Sequence, residues 1–411
     1  MNVTIYPGRL HGTITPPPSK SQAHRLIIAA ALADGESHLD NVALSMDIQA
    51  TLRCIRAMGA KASPDGTLIR GTGGVLFPCT PCCDPSLYQC GESGSTLRFM
   101  IPIVLAVKQG GIFQGQGRLM QRPLKPYEAI FDEKNIWYNR HGDQMEIFGK
   151  LTPGPYALPG DVSSQFITGL LYALPLLEED SEILLTSALE SEGYIDMTVQ
   201  ALNTFGVQVQ QTVSGWHIPG RQQYQPHDGQ VESDYSQAGF YYAANGIGNA
   251  VILQGMNPDS AQGDRVIVPY YDLLCGEGTV ELDVSQCPDL VPPLAVHAAL
   301  RRAGTVTRLV NAARLRLKES DRLTTVTQVL NALGACVEEH PDSLTITAVE
   351  SLHGGTVESH NDHRIAMMEA IAATRSSGPV TILGAECVRK SYPDFWEDYE
   401  ALGGRTERWN A

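Results

Sequence analysis

The sequence predicts an α/β protein of two similar domains, each built from three repeated units. Three observations point there: a sixfold pattern of helix, glycine and hairpin; an N-terminal strand pair with no helix of its own; and two segments through which no helix or sheet can continue. In each repeat an apolar-periodic run ends in glycine, where a helix C-terminus adopts the left-handed conformation, and segments of strand period follow. The clearest copies run through Gly59 to Leu68-Ile69, through Gly206 to Trp216-His217-Ile218, and through Gly334 to Leu344-Thr345-Ile346. Another spans Glu128 to Ile147, with Asn135 in the glycine's place because asparagine tolerates the same backbone, and Arg140-His141-Gly142-Asp143 as its turn. Weaker copies end at Gly276, with Thr279-Val280-Glu281-Leu282 to follow, and at Gly403. The markers recur at roughly one sixth of the 411 residues.

The last copy runs out of chain before it can make a hairpin, whereas Val3-Thr4-Ile5-Tyr6 and His11-Gly12-Thr13-Ile14 are strands without a unit. The termini are therefore expected to meet in one domain, residues 1–14 plus 229–411, with residues 15–228 as the central domain. The crossings fall at Thr15-Pro16-Pro17-Pro18 and at Gln222 to Gly229, which together make a two-strand hinge.

Composition narrows the function. With 43% hydrophobic and 18% charged residues, the chain can bury the cores of two to three domains at ~150 residues each, which excludes disorder. A net charge of −15 repels polyanions, so no general nucleic-acid or anionic-membrane surface is expected; an anionic small molecule needs a locally basic pocket. The longest apolar stretch, Leu97 to Val107, is far short of the ~20 residues of a membrane span. Met1 to Lys20 has neither the basic start nor the apolar run of a secretory signal. Nine scattered cysteines read as reduced thiols of a cytoplasmic protein, and no additional apolar segment argues against a monomer.

Polar clusters precede most of the helical runs. They are Ser19-Lys20-Ser21-Gln22, Gly91 to Thr96, Asp161 to Gln165, Ser233 to Ser236, Ser285 to Asp289, Lys318 to Arg322 and His360 to Arg364. Any one alone caps a helix. What exceeds capping is the cations inside them: Lys20, Arg25, Arg98, Lys318, Arg322 and Arg364 lie in or near first turns, where the helix dipole disfavours positive charge. Helix N-termini with hydroxyls and Lys or Arg make phosphate or carboxylate sites, so an interdomain cleft holding phosphorylated or carboxylated small molecules is expected. Asp289 and Glu319, interleaved with these cations, are candidates for general base and general acid; spacing alone fits equally a cap or an ion pair.

Other signals carry less. Cys79-x-x-Cys82-Cys83 with Cys90 is too irregular for zinc, and no histidine follows at a suitable distance. Gly71-Thr72-Gly73-Gly74 lacks the lysine of a nucleotide loop and opens no helix. Tyr235, Tyr241, Tyr242, Phe395 and Trp396 read as core.

From Ser19-Lys20-Ser21-Gln22-Ala23-His24-Arg25 onward the chain resembles the 5-enolpyruvylshikimate-3-phosphate synthase family. The likeness continues in order through Gly94-Ser95-Thr96-Leu97-Arg98, Gln121-Arg122-Pro123, Ser163-Ser164-Gln165, Ser191-Glu192-Gly193-Tyr194-Ile195-Asp196, Pro288-Asp289, Arg316 to Arg322, Asn361-Asp362-His363-Arg364 and Lys390-Ser391-Tyr392-Pro393-Asp394. The resemblance implies an inside-out α/β barrel in each domain. It implies transfer of the enolpyruvyl group of phosphoenolpyruvate to the 5-hydroxyl of shikimate 3-phosphate, with release of phosphate and with neither metal nor organic cofactor. Carried over motif by motif, Lys20, Ser21, Arg25, Ser163, Ser164, Gln165, Ser191, Tyr194, Asp289 and Lys318 hold shikimate 3-phosphate, while Lys20, Gly94, Arg122, Gln165, Arg322, Arg364 and Lys390 hold phosphoenolpyruvate. Asp289 is then the base at the hydroxyl, Glu319 the acid at C3, and Lys20 a proton carrier and charge clamp.

Departures are few. Glu92 stands where many members have Asn, and Arg314 where some have Asn, which bears on the contacts to phosphoenolpyruvate and to the shikimate phosphate respectively. Gly94 is retained where a bulkier residue obstructs glyphosate, so sensitivity is expected. The sister enzyme acting on UDP-N-acetylglucosamine normally has Lys-Asn where Lys20-Ser21 stands and a reactive cysteine absent before Arg122. A non-catalytic repeat scaffold needs no such set of cations with Asp289 and Glu319.

Overall fold

The computed structural model describes residues 1–74 and 86–410. Two units emerge, one of Met1–Pro17 with Glu232–Ala411 and one of Pro18–Val231. The second contains α1 (Lys20–Leu32), α2 (Met46–Met58), α3 (Gly94–Lys108), α4 (Lys125–Lys134), α5 (Ser164–Ala173) and α6 (Glu192–Thr204). Its three four-stranded sheets share one order. Leu87–Gly91 runs parallel to Gly110–Gly115, which pairs antiparallel with Gln144–Phe148, itself the hairpin partner of Trp137–His141. Gly154–Leu158, Ser181–Leu185, Gly215–Ile218 and Gln210–Thr212 repeat that order. In the remaining sheet the parallel partner of Glu36–Asp40 is Gly229–Gln230, from the far end of the unit.

The other unit contains α7 (Tyr235–Gly246), α8 (Ile267–Cys275), α9 (Val291–Ala299), α10 (Arg322–Ala332), α11 (His363–Ala373) and α12 (Phe395–Ala401). Val280–Asp283, Val306–Val310, Leu344–Thr347 and Cys336–Glu339 form a sheet of the same order. In a second, Gly355–Glu358 lies parallel to Val380–Leu383, and the next strand is Asn2–Tyr6 from the chain start, which also pairs with Arg405–Trp409. The third is only the parallel pair His11–Ile14 and Ala250–Leu253.

Five of the repeat markers take positive φ, Gly59 at 120°, Asn135 at 54°, Gly206 at 79°, Gly334 at 90° and Gly403 at 90°. Gly276 does not: its backbone is extended, at φ −72° and ψ 178°, and no hairpin follows it. The alternation at Val280 to Leu282 belongs to the first strand of the next sheet, running parallel to Val306–Val310. An isolated alternating segment reads the same in either role, and only its partner decides. At the other hairpin Arg140 and His141 remain in strand, leaving Gly142-Asp143 as the two-residue loop.

Helices, not sheets, fill the interior. Every residue of α3 from Thr96 to Val107 is buried, as is all of α9 and α11, because these helices carry apolar side chains on every face, with only a few charged ones among them. The strands alternate, one face toward these helices, and among the described residues no sheet closes on itself. The inside-out arrangement takes this form. None of the described helices is long and apolar enough to cross a membrane. Gly71 packs so closely on the Ala30 and Ala33 carbonyls at the end of α1 that a Cβ would collide, so its turn is a packing device. Tyr241, Phe395 and Trp396 are core residues, and of the discounted cysteines Cys79, Cys82 and Cys83 lie outside the described residues, while Cys90 is buried.

Pro102 sits inside α3 and has no N–H for the Arg98 carbonyl. The Tyr127 hydroxyl donates to that carbonyl instead, at 2.7 Å, and lies 3.0 Å from the Phe166 carbonyl on α5. A Cβ at Gly169 would meet this hydroxyl, so the glycine is what lets α5 approach. Tyr127→Phe leaves the Arg98 carbonyl buried without that donor. It is expected to lower unfolding free energy by about 1–3 kcal/mol, read as a lower urea midpoint at unchanged slope; an unmoved midpoint would show that the carbonyl does not depend on Tyr127.

Candidate active site

In the unit Pro18–Val231 each polar cluster does cap its helix. Ser19, Ser93 and Ser163 accept from the backbone N–H groups of Gln22, Thr96 and Gln165 at the starts of α1, α3 and α5. The cations then need their own anions or acceptors. Lys20 Nζ donates to Asp47 Oδ2 at 2.8 Å, both side chains largely buried. Arg25, 2% exposed, bridges α1 to α6: its Nη1 donates to the Ser21 carbonyl (2.6 Å), its Nη2 to the Tyr194 carbonyl (2.7 Å) and its Nε to Thr198 Oγ1 (2.9 Å). Its guanidinium carbon lies 5.3 Å from the Phe99 ring centroid and 5.9 Å from that of Tyr194. Burial lowers its pKa to about 10, which leaves it charged at neutral pH.

These contacts gather Ser21, Arg25 and Tyr194, with Ser191 beside them at φ 57°, its carbonyl accepting from Tyr194 N–H at 3.1 Å. A left-handed serine is strained backbone of the kind that accumulates at ligand sites. Gln165 is fixed at both ends, accepting from Arg98 Nη1 (2.6 Å) and donating to Ser95 Oγ (2.9 Å). Gly94 lies against Arg122: a Cβ there would stand 2.6 Å from Nη1.

In the other unit the cations converge on one carboxylate. Asp289 Oδ1 accepts from Arg322 Nη1 at 2.9 Å and from Lys318 Nζ at 3.4 Å, while Oδ2 accepts from Arg364 Nη2 at 3.0 Å. Arg322, 1% exposed, also donates from Nη2 to Glu319 Oε2 (2.9 Å) and to Asp362 Oδ1 (3.2 Å), and from Nε to Asp362 Oδ2 (2.8 Å). One planar guanidinium thus fixes both candidate proton-transfer groups relative to each other. Asp362, fully buried, further accepts from Ser320 Oγ (3.0 Å) and from Arg364 N–H (3.0 Å) as N-cap of α11. Burial pushes its carboxyl up, but the Arg322 charge outweighs this and holds it below the usual range. Lys390, 4% exposed, donates to the Asn361 carbonyl at 2.7 Å, where His360 and Asn361 both take left-handed backbone. Burial lowers the Lys318 pKa, with Asp289 opposing. Arg314 donates to the Ser285 carbonyl.

Sequence reasoning missed three carboxylates. Asp47 has the signature of an ordinary acidic first turn, and Asp362 that of an ordinary N-cap. Asp264 follows Gln262-Gly263 in a short 3-10 turn with nothing to mark it, yet it is 3% exposed and accepts from Ser236 Oγ. Among the described residues no cluster of His, Cys, Asp and Glu is arranged to hold a metal.

Burial, and then the charge of Asp289, push the Asp264 carboxyl up to about 6. A carboxyl whose folded value lies above its unfolded ~4 stabilises the fold in its protonated form; the contribution is full below about pH 4 and is lost as pH rises through about 6. Asp264→Asn stays neutral throughout. Relative to the unmodified protein it is expected to gain up to about 3 kcal/mol between pH 4 and 6 and to level off above, measured by chemical denaturation at a series of pH values. A pH-independent difference would refute the shift.

The comparisons agree along the chain. A family model described as EPSP synthase (3-phosphoshikimate 1-carboxyvinyltransferase) matches residues 5–399. A 3-phosphoshikimate 1-carboxyvinyltransferase of Clostridium kluyveri is 42% identical over 99% of this chain and 99% of its own, and one of Clostridium acetobutylicum 44% identical over the same shares. Among solved structures, EPSP synthase from Acinetobacter baumannii superposes at a TM-score of 0.80 with 25% identity, over 99% of this chain and 100% of that one. The order of motifs, the helix-filled units and these matches place the chain in the EPSP synthase (3-phosphoshikimate 1-carboxyvinyltransferase) family and not with the enolpyruvyl transferases of UDP-N-acetylglucosamine.

Proposed function

We propose that this protein transfers the enolpyruvyl group of phosphoenolpyruvate to the 5-hydroxyl of shikimate 3-phosphate and releases inorganic phosphate, a step of aromatic amino-acid biosynthesis. The observation that carries the residue roles is the Arg322 guanidinium, which holds Asp289 by Nη1 and Glu319 by Nη2. Asp289 takes the proton of the 5-hydroxyl as its oxygen bonds to C2 of phosphoenolpyruvate, and Glu319 delivers a proton to C3. In the tetrahedral intermediate the C2–O bond to phosphate then breaks, C3 returns a proton, and the enol ether remains. Lys20 clamps the developing charge and carries protons.

Lys20, Ser21, Arg25, Ser163, Ser164, Gln165, Ser191, Tyr194 and Lys318 hold shikimate 3-phosphate in this reading, with Asp289. Gly94, Arg122, Gln165, Arg322, Arg364 and Lys390 hold phosphoenolpyruvate, with Lys20. Support comes from the fixing of Arg25 and Tyr194 to each other, from the proximity of Gly94 to Arg122, and from the chemistry of the donors, since phosphate and carboxylate favour the fork of arginine and the point charge of lysine. Arg322 commits four of the five N–H donors of a guanidinium to protein carboxylates, so its share in binding is one Nη1 hydrogen and its charge. The proposal includes a cytoplasmic monomer, in keeping with free thiols at Cys54, Cys90, Cys275, Cys287, Cys336 and Cys387.

Phosphate release with phosphoenolpyruvate is expected when shikimate 3-phosphate is the acceptor and not when UDP-N-acetylglucosamine is; the reverse result would move the chain to the sister reaction. Glyphosate in excess is expected to inhibit, because Gly94 leaves open the space before Arg122. Glu319→Gln and Asp289→Asn are each expected to bind both substrates and lose about 100-fold or more in turnover, the range typical of general acid and base catalysis. Near-normal turnover in either variant would show its role to be misassigned.

A further inference from the structure

His24 lies four residues after Lys20 on α1, and Thr51 four residues after Asp47 on α2, so the two pairs face each other as successive rungs between the helices. The first rung is the Lys20–Asp47 ion pair at 2.8 Å; the second is His24 Nδ1 to Thr51 Oγ1 at 2.7 Å. From the second rung a buried chain continues into α3. Thr51 Oγ1 lies 2.7 Å from Thr96 Oγ1, and Thr96 Oγ1 donates to Ser93 Oγ at 2.8 Å. Ser93 is the N-cap of α3, immediately before Gly94.

The imidazole is 1% exposed, its edge toward the Phe99 ring, and its Nε2 is buried with no hydrogen-bond partner. Burial, with the charges of Lys20 and Arg25, keeps it neutral. A buried N–H without an acceptor is rarer than a lone pair without a donor, which puts the proton on Nδ1. The chain then runs one way: Nδ1–H to Thr51, Thr51 hydroxyl to Thr96, Thr96 hydroxyl to Ser93. Each link of that chain pairs one donor with one acceptor, and the chain ends on the capping hydroxyl that starts α3.

We infer that His24 is a positioning residue for phosphoenolpyruvate: through Thr51, Thr96 and Ser93 it fixes the α3 N-terminus at Gly94, beside the Lys20–Asp47 rung. This rests on the reading above that Lys20 and Gly94 hold phosphoenolpyruvate. His24 touches no substrate. Of the residues assigned to shikimate 3-phosphate, Ser163 caps α5 and the Tyr194 carbonyl accepts from Arg25 Nη2, contacts that do not run through this chain.

The test uses the full chain and steady-state phosphate release with each substrate varied in turn. Thr51→Val, which keeps the shape and removes the linking hydroxyl, and His24→Leu are expected to raise KM for phosphoenolpyruvate about tenfold while KM for shikimate 3-phosphate stays within about twofold. His24→Asn, whose amide N–H can stand in for Nδ1–H, and Thr51→Ser are expected to stay within about threefold of the unmodified protein in both. Thermal unfolding and calorimetric binding of shikimate 3-phosphate alone report whether each variant is folded. Folded Thr51→Val and His24→Leu proteins with unchanged KM for phosphoenolpyruvate, or with both KM values raised alike, would overturn the inference. Should both fail to fold, an unchanged phosphoenolpyruvate KM in Thr96→Val, which breaks the same chain one link later, would overturn it too. Absence of phosphate release from the unmodified protein would instead overturn the reading of function, and this inference with it.

Discussion

The carboxylate of Asp362, fully buried at the N-cap of α11, is the fixed point of the unit that carries Asp289 and Glu319. Burying a carboxylate costs several kcal/mol, and only excellent geometry offsets it. Here two guanidinium nitrogens, a serine hydroxyl and a backbone N–H all donate to it. Arg322 is thereby held in one plane, and from that plane Nη1 sets Asp289 while Nη2, shared with Asp362, sets Glu319. The helix cap, the ion pair and the placement of the proton-transfer groups are thus one network, and a change at Asp362 propagates to all three.

The helices that carry such groups have apolar side chains on every face, which makes the architecture stable only if they are inside. α3 combines Arg98 near its start with Pro102 one turn later, in a helix buried on every side. Its polar start and its dry body impose opposite demands, met by Tyr127 completing the backbone and by Arg98 donating to Gln165. The same division recurs at α11, where every residue is buried and the N-terminal turn holds Asp362 and Arg364. Many of the site's polar groups lie at helix starts, where an interior helix has unmatched N–H groups.

Much of the site was legible because its cations stand where isolated helices do not tolerate them. Lys20, Arg322 and Arg364 break the dipole rule in the first turns of α1, α10 and α11, and each breach has its partner in the structure; Arg25 stands in the second turn of α1 and Lys318 four residues before α10. Of the carboxylates that answer them Asp289 was legible, whereas Asp47 and Asp362 look like routine acidic residues at helix starts; Asp264, which accepts from Ser236, becomes notable only through burial and nearness to Asp289. The repeat was readable at Gly59, Asn135, Gly206 and Gly334 because a left-handed residue between a helix and alternating segments is a local signal. It misled at Gly276, where an extended glycine leads into the first strand of the next sheet and not into a hairpin.

By itself the sequence determined the α/β class, the repeated unit, the helix caps and the cationic helix starts, since each follows from periodicity, backbone preference or dipole within a few residues. The tertiary structure decided what those groups touch. Asn2–Tyr6 pairs with Val380–Leu383 and Arg405–Trp409 across nearly the whole chain length, and His24 reaches Ser93 only through residues of α2 and α3. Strand partners, buried ion pairs and hydroxyl chains depend on burial and long-range contact, and neither is a property of any short stretch of sequence.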